Sequence, residues 1–352
     1  MQIDNKNNNF GFLRLFLAIL VIVSHSPEAI DGNRNRELLT NIFGTLSFGE
    51  FAVNGFFLIS GYLIHKSYEN SSSLKSYFYK RVLRIYPAFI VAHIFFMLCI
   101  VPLLLNFHSL FNLEIKYWLK SVVRMLILDS PYPVDGVFDK NPYKATNISM
   151  WTIRYEFLCY LAIPLLSYLP VNKIKVLSVV ITLYVISGIF DINFSTPYPI
   201  IIELKQVLRL FSAFLIGEIF YIYREKIIYN KALTFVSIFG LIALLFNDRF
   251  AEIGLMTFGA YLLFNFALNY KSKYLNKVGS KVDLSYGIYL YAWPIQNLFI
   301  QYQSNLNPYM LMIYTLVISS MIACLSWFYV EKPFIQLKGK LDFNVRNAAI
   351  KL

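Results

Sequence analysis

Apolar runs of about the length a bilayer requires recur along this chain, each bounded by polar or turn-forming residues. They fall near 10–26, 46–65, 85–105, 150–169, 175–190, 207–223, 232–246, 253–270, 284–303 and 308–330, the fifth and seventh being the shortest. The pattern predicts an all-α protein, a polytopic membrane helix bundle of about ten transmembrane helices. No internal repeat, linker or second soluble domain interrupts it.

Composition agrees with the pattern. Of 352 residues, 57% are hydrophobic, 18% aromatic and only 15% charged, and the mean hydropathy is +0.54, which excludes an ordinary soluble globular domain. The net charge of +12 invites a nucleic-acid partner, but no basic run alternates with aromatics in a soluble module, so none is expected. Topology explains the charge better. One alternate set of loops holds roughly twice as many Lys and Arg as the other, and the richer set should face the cytoplasm, with both termini inside. The first run looks like a secretory signal, yet Arg14 lies within it and no small-x-small cleavage pattern follows, so it is kept as the first span. Cys99, Cys159 and Cys324 show neither disulfide nor metal spacing, and His25, His65, His93 and His108 show no ligand spacing, so no metal is expected.

The informative residues are the polar ones inside the apolar runs. Ten residues separate Arg14 from His25, so eleven steps at about 3.6 per turn place both on one helical face, roughly 16 Å apart along the axis. An ionisable group within a span costs roughly 2.5 kcal/mol or more, and this stripe therefore suggests a polar pore or cavity. The alternative is that Arg14 snorkels to head groups and His25 ends the helix before Pro27. Arg81 and Arg84 share a face at the cytoplasmic rim just before Pro87, which suits a helix start; a guanidinium pair there can grip phosphate or simply anchor to lipid. In the second run Gly55 and Gly61 allow close helix approach and Ser60 adds a hydroxyl. At the outer start of the fourth run, Trp151 suits an interface, while Arg154 and Glu156 point to different faces and cannot neutralise each other. Arg209 and Glu218 raise the same question, with pairing between helices as the structural answer.

One sizeable segment lies outside the runs, at 106–149 on the outer side. Lys116, Lys120 and Arg124 form a basic stripe opposite Leu119, Val122 and Leu126, which reads as an interfacial amphipathic helix in contact with membrane lipid. From Asp129 to Ser149 turn residues dominate, so this part is either a lid or binding loop, or disordered.

Taken together and in order, these stretches resemble the membrane acyltransferase 3 family. The resemblance covers Arg14 and His25, Val53 through Ile64, Arg81 through Pro87, Trp151 through Glu156, Leu208-Arg209, Ser285 through Pro294, and Glu331-Lys332-Pro333. Some relatives have a His where this chain has Ala292, so no role is carried to that position. The resemblance implies one acyltransferase domain over 1–340 with a short cytoplasmic tail at 341–352, in the bacterial inner (cytoplasmic) membrane. It further implies an acyl-CoA donor, most often acetyl-CoA, and an acceptor hydroxyl on a surface polysaccharide or lipid-linked glycan.

On that basis His25 is the expected general base, with an acyl-histidine intermediate as the alternative, and Arg14 and Glu156 complete the catalytic set. Arg81, Arg84, Arg14 and Ser60 are expected at the coenzyme, and Trp151, Arg154, Tyr155 and Arg209 at the acceptor. The competing class is a transporter or flippase of lipid-linked saccharides, for which ten spans and intramembrane charges serve equally well.

Overall fold

The computed structural model describes residues 8–106, 108, 113–168, 181, 182, 185, 199–303 and 306–337, and among these there are helices and no strand. The principal helices are α1 (Phe10–Asp31), α2 (Leu38–Phe43), α3 (Phe48–Glu69), α4 (Leu74–Leu105), α5 (Ile115–Leu126) and α6 (Trp151–Tyr168). They are followed by α7 (Pro199–Ile222), α8 (Lys231–Leu245), α9 (Ala251–Asn269), α10 (Ser285–Tyr302) and α11 (Pro308–Leu337). Every apolar run is helical except 175–190, which lies largely outside the described residues, as does the tail at 341–352. Among the described residues four helices, α1, α4, α9 and α11, are long and apolar enough to cross a membrane.

Two boundaries differ from the sequence reading, both at prolines. α1 does not stop before Pro27 but continues to Asp31, and Pro87 does not start α4 but sits inside it. The real start is Ser73, whose hydroxyl accepts from the Ser76 N–H, an N-cap that satisfies one of the free donors of the first turn. Proline removes a backbone bond, yet in an apolar setting breaking the helix would strand more backbone groups still. Near each proline a side chain from α10 serves a carbonyl: Gln296 donates to Ile22 at 3.2 Å and Tyr286 to Ile85 at 3.1 Å.

The residues divide into two compact units. The first takes in Met1–Leu17, Leu38–Asn70 and Tyr155–Lys281; the second takes in Ala18–Glu37, Ser71–Arg154 and Val282–Leu352. In the first unit α3 opens with a capping box between Ser47 and Glu50 and lies against α7. Their contact is backbone on backbone: a Cβ placed on Gly61 would meet the Phe214 carbonyl oxygen at 1.9 Å, and one on Gly217 would meet that of Leu58 at 2.0 Å. The pairing advances in the same sense along both helices, from Gly61 against Phe214 to Glu69 against Tyr221, so they run parallel. Gly61 thus serves the close approach expected of it, whereas Gly55 faces the side chain of Leu17. Beside this contact Tyr62 packs against the rings of Phe10 and Phe264, with centroids 5.2 and 5.3 Å away.

In the second unit α10 meets α11 at a third small-residue contact, where a Cβ on Gly287 would come within 2.7 Å of that of Ala323. α11 then passes through a π-helical turn at Trp327–Glu331. A single widened turn of this kind re-aims the side chains that follow, and Glu331 ends up buried.

Because backbone atoms cannot yield as a flexible side chain can, Gly217→Ala is expected to force α3 and α7 apart at a cost of about 1–3 kcal/mol. Thermal unfolding in detergent should show a clearly lowered midpoint, and an unchanged midpoint would refute the contact.

Candidate active site

The polar residues singled out in the sequence gather into small clusters, each built within one unit. In the second unit, His25 sits one turn from Glu28 on α1, its Nδ1 3.5 Å from Glu28 Oε2. Tyr143 donates its hydroxyl to Glu28 Oε1 at 2.7 Å. The Trp293 ring meets the His25 ring edge to face, with centroids 5.2 Å apart. His25 is half-buried, and its Nε2 has no hydrogen-bond partner among the described residues.

The segment from Asp129 to Ser149 forms an ordered cap in this unit. Two of its amides are spent on α10, where Asn141 donates to the Asn297 carbonyl at 2.9 Å and Asn147 to that of Leu290 at 2.7 Å; just after it, Thr152 of α6 bonds Tyr289 at 2.7 Å. Val134, Val137 and Phe138 fill a cluster with Phe96, Met97, Ile100 and Val101 of α4. Burial and its bond to Glu28 push the Tyr143 phenol up to about 12, so it remains a neutral donor at physiological pH. Ahead of this cap, α5 turns Ile115, Leu119, Val122, Val123 and Leu126 outward, while Lys120 and Arg124 lie over the Tyr132 ring.

Arg154 pairs with Asp129 at 2.8 Å and donates to the Ile127 carbonyl at 3.1 Å. This joins the start of α6 to a strained turn, where Leu128 holds a left-handed φ of 56°. Trp151 is half-buried on the same turn. Arg84 is held between two buried carboxylates, 2.7 Å from Asp283 and 3.6 Å from Glu331, the latter also bonded to Ser326. The π turn in α11 is what delivers Glu331 to this place. Arg81, one turn earlier on α4, is half-buried with its guanidinium 5.8 Å from the Tyr77 ring.

In the first unit, Glu156 accepts hydrogen bonds from Ser60 at 3.0 Å and Tyr160 at 2.5 Å, bringing two of the sequence-selected residues together across α3 and α6. Tyr155 and Arg14 are half-buried. Arg209 is buried, bonds Gln206 at 3.0 Å and lies 3.8 Å from Glu252. Glu218 takes a different partner: His65 Nδ1, at 2.7 Å, while His65 Nε2 lies 3.4 Å from Glu69. The sequence reading gave no site role to His65, Glu28, Tyr143, Asp283 or Glu331. An ionisable residue in an apolar run is the signal that marks His65, whereas Glu331 falls just past the last run and Asp283 sits among loop polar residues.

A family model for an acyltransferase domain, acyltransferase 3, matches residues 7–330, nearly the whole chain. The chain belongs to the acyltransferase 3 family. With membership goes acyl transfer as the class of reaction, and the apolar helices make this acyltransferase a membrane protein. It is 29% identical over 345 residues to an O-acetyl transferase of Shigella phage Sf6, covering 94% of this chain and 97% of the relative. It is also 30% identical to nodulation protein 10 of Rhizobium leguminosarum bv. viciae over 180 residues, 46% of this chain and 45% of that one. No solved structure matches.

Removing the guanidinium from the cluster on α4 takes a cationic partner away from two buried carboxylates. Arg84→Ala is therefore expected to destabilise the acyltransferase by about 3–5 kcal/mol. Arg154→Ala, at a pair about one-third exposed, should cost at most about 1 kcal/mol. Parallel unfolding curves check this, and equal losses in the two variants would contradict it.

Proposed function

We propose that this acyltransferase moves an acetyl group from cytoplasmic acetyl-CoA to a hydroxyl of a surface polysaccharide or lipid-linked glycan. In this reading it is a ten-span protein of the bacterial inner membrane, one domain over 1–340 with both termini inside. Similarity along almost the full length of an O-acetyl transferase carries the proposal. The distribution of Lys and Arg supports the orientation.

His25 is the base. Its Nε2 accepts the proton of the acceptor hydroxyl as that oxygen attacks the thioester carbonyl. The tetrahedral intermediate collapses by breaking the carbon–sulfur bond, and the imidazolium returns its proton to the departing thiolate, giving the ester and free CoA. Arg14 is assigned to the inner mouth of the donor path and Arg81 to the CoA phosphates, for which guanidinium is the best-suited side chain. Arg84 is occupied by Asp283 and Glu331, so its part in donor binding is to fix the turn that carries Arg81. Glu156 with Ser60 is assigned to the reacting groups. The acceptor is assigned to Trp151, Arg154, Tyr155 and Arg209 on the family pattern rather than on contact.

Purified protein incubated with labelled acetyl-CoA and a surface polysaccharide extract should place label in alkali-labile ester. His25→Ala should reduce transfer at least a thousandfold while leaving the unfolding midpoint within a few degrees of the parent. Transfer that survives this substitution sinks the assignment of the base, and glycan movement without ester formation would favour a transporter.

A further inference from the structure

The cap over the end of α1 holds both groups that touch the imidazole. Tyr143, from the cap, bonds one oxygen of Glu28, whose other oxygen faces His25 Nδ1. Trp293, in T-shaped contact with the same ring, donates its indole N–H to the Ala145 carbonyl of the cap at 2.9 Å. We propose that Glu28 is a positioning residue for His25, fixing its ring and tautomer through Nδ1, and that Tyr143 makes the outer cap part of this arrangement by holding Glu28 in place. The inference rests on His25 acting as the base.

Three observations favour it over an incidental surface pair. First, Glu28 lies in the last turn of α1, where unpaired carbonyls make a carboxylate unwelcome and which holds no basic residue of its own. Its place there is held by partners. Second, one of its oxygens is hydrogen-bonded by Tyr143 and the other faces the still unpaired Nδ1, and the side chains of His25 and Glu28 are only 20% and 16% exposed, so neither is a freely solvated charge. Third, the geometry leaves the right nitrogen for chemistry. A carboxylate beside Nδ1 selects the tautomer with its proton there, which turns the Nε2 lone pair outward, and the same carboxylate offsets the imidazolium once Nε2 has taken a proton.

At 3.5 Å the contact is longer than a hydrogen bond, as often happens in a site without its substrates, where such bonds tighten only as charge develops. Among the described residues, Arg34 just beyond α1 is the further charge acting on Glu28, Asp31 in the same turn acts on Tyr143, and the neighbours on α10, Trp293 and Gln296, are neutral. Glu28 is therefore the anion available to the ring.

The test compares Glu28→Gln, Glu28→Asp, Tyr143→Phe and His25→Ala in the full chain. Transfer is measured with labelled acetyl-CoA and the same polysaccharide extract, and the imidazole tautomer is read from nitrogen-15 NMR of histidine-labelled protein, His25→Ala identifying the signal. Glu28→Gln should lower kcat about 10–100-fold with KM for acetyl-CoA within twofold of the parent, and should shift the His25 signal toward a mixture of tautomers. Glu28→Asp should recover part of the loss. Tyr143→Phe should show the same split more weakly, about 3–10-fold in kcat, and it serves if Glu28→Gln does not fold. If His25→Ala is inactive while Glu28→Gln keeps parental kcat and tautomer, the positioning role falls and the base stands. If activity falls with the tautomer unchanged and KM raised, Glu28 is merely structural and the inference is overturned. If His25→Ala remains active, the base itself is wrong.

Discussion

A charge taken into an apolar helical interior is tolerated only where another group meets it, because the low dielectric makes an unpaired ion costly. The described residues follow this constraint closely. Arg84 of α4 is met by Asp283 and by Glu331 of α11; Glu218 of α7 is met by His65 of α3; and Glu156 of α6 is met by Ser60 of α3. Each set joins helices distant in the chain. Among lipid tails, apolar contact has no preference for one helix over another, so hydrogen bonds and small-residue contacts supply the register that a soluble core takes from burial. The same groups that make the interior polar enough for chemistry also fix which helices are neighbours.

The positions of the helices were legible in the sequence, since the length of an apolar run is set by the bilayer and needs no partner to be read. Their ends were less so. Pro27 and Pro87 read as boundaries because proline breaks helices in water, and Gln296 and Tyr286, which serve carbonyls near them, lie in a different part of the chain. The candidate residues were legible for a similar reason: a polar side chain in an apolar run stands out. Their partners did not, because Ser60 and Glu156 are 96 positions apart, His65 and Glu218 are 153 apart and Arg84 and Asp283 are 199 apart. Glu331 is a further case, for it is turned inward by a π turn that no spacing of residue types announces.

The segment from Asp129 to Ser149 shows how a stretch rich in turn residues becomes ordered. Three prolines and Gly136 deny it regular secondary structure, so its backbone and amides need partners elsewhere, and the α10 carbonyls of Leu290 and Asn297 provide them for Asn147 and Asn141. A few valine and phenylalanine side chains then anchor it to α4. Turn chemistry specified where the chain bends, whereas tertiary partners decided that it stays folded.

The backbone contacts at Gly61 and Gly217 limit how the first unit can move. Main chains in van der Waals touch have no lubricating layer of side chains between them, so sliding one helix a fraction of a turn along the other drives carbonyl oxygens into Cα atoms. The two must travel as one beam. Any rearrangement within this unit has to hinge elsewhere, leaving Ser60 and His65 on a fixed strut.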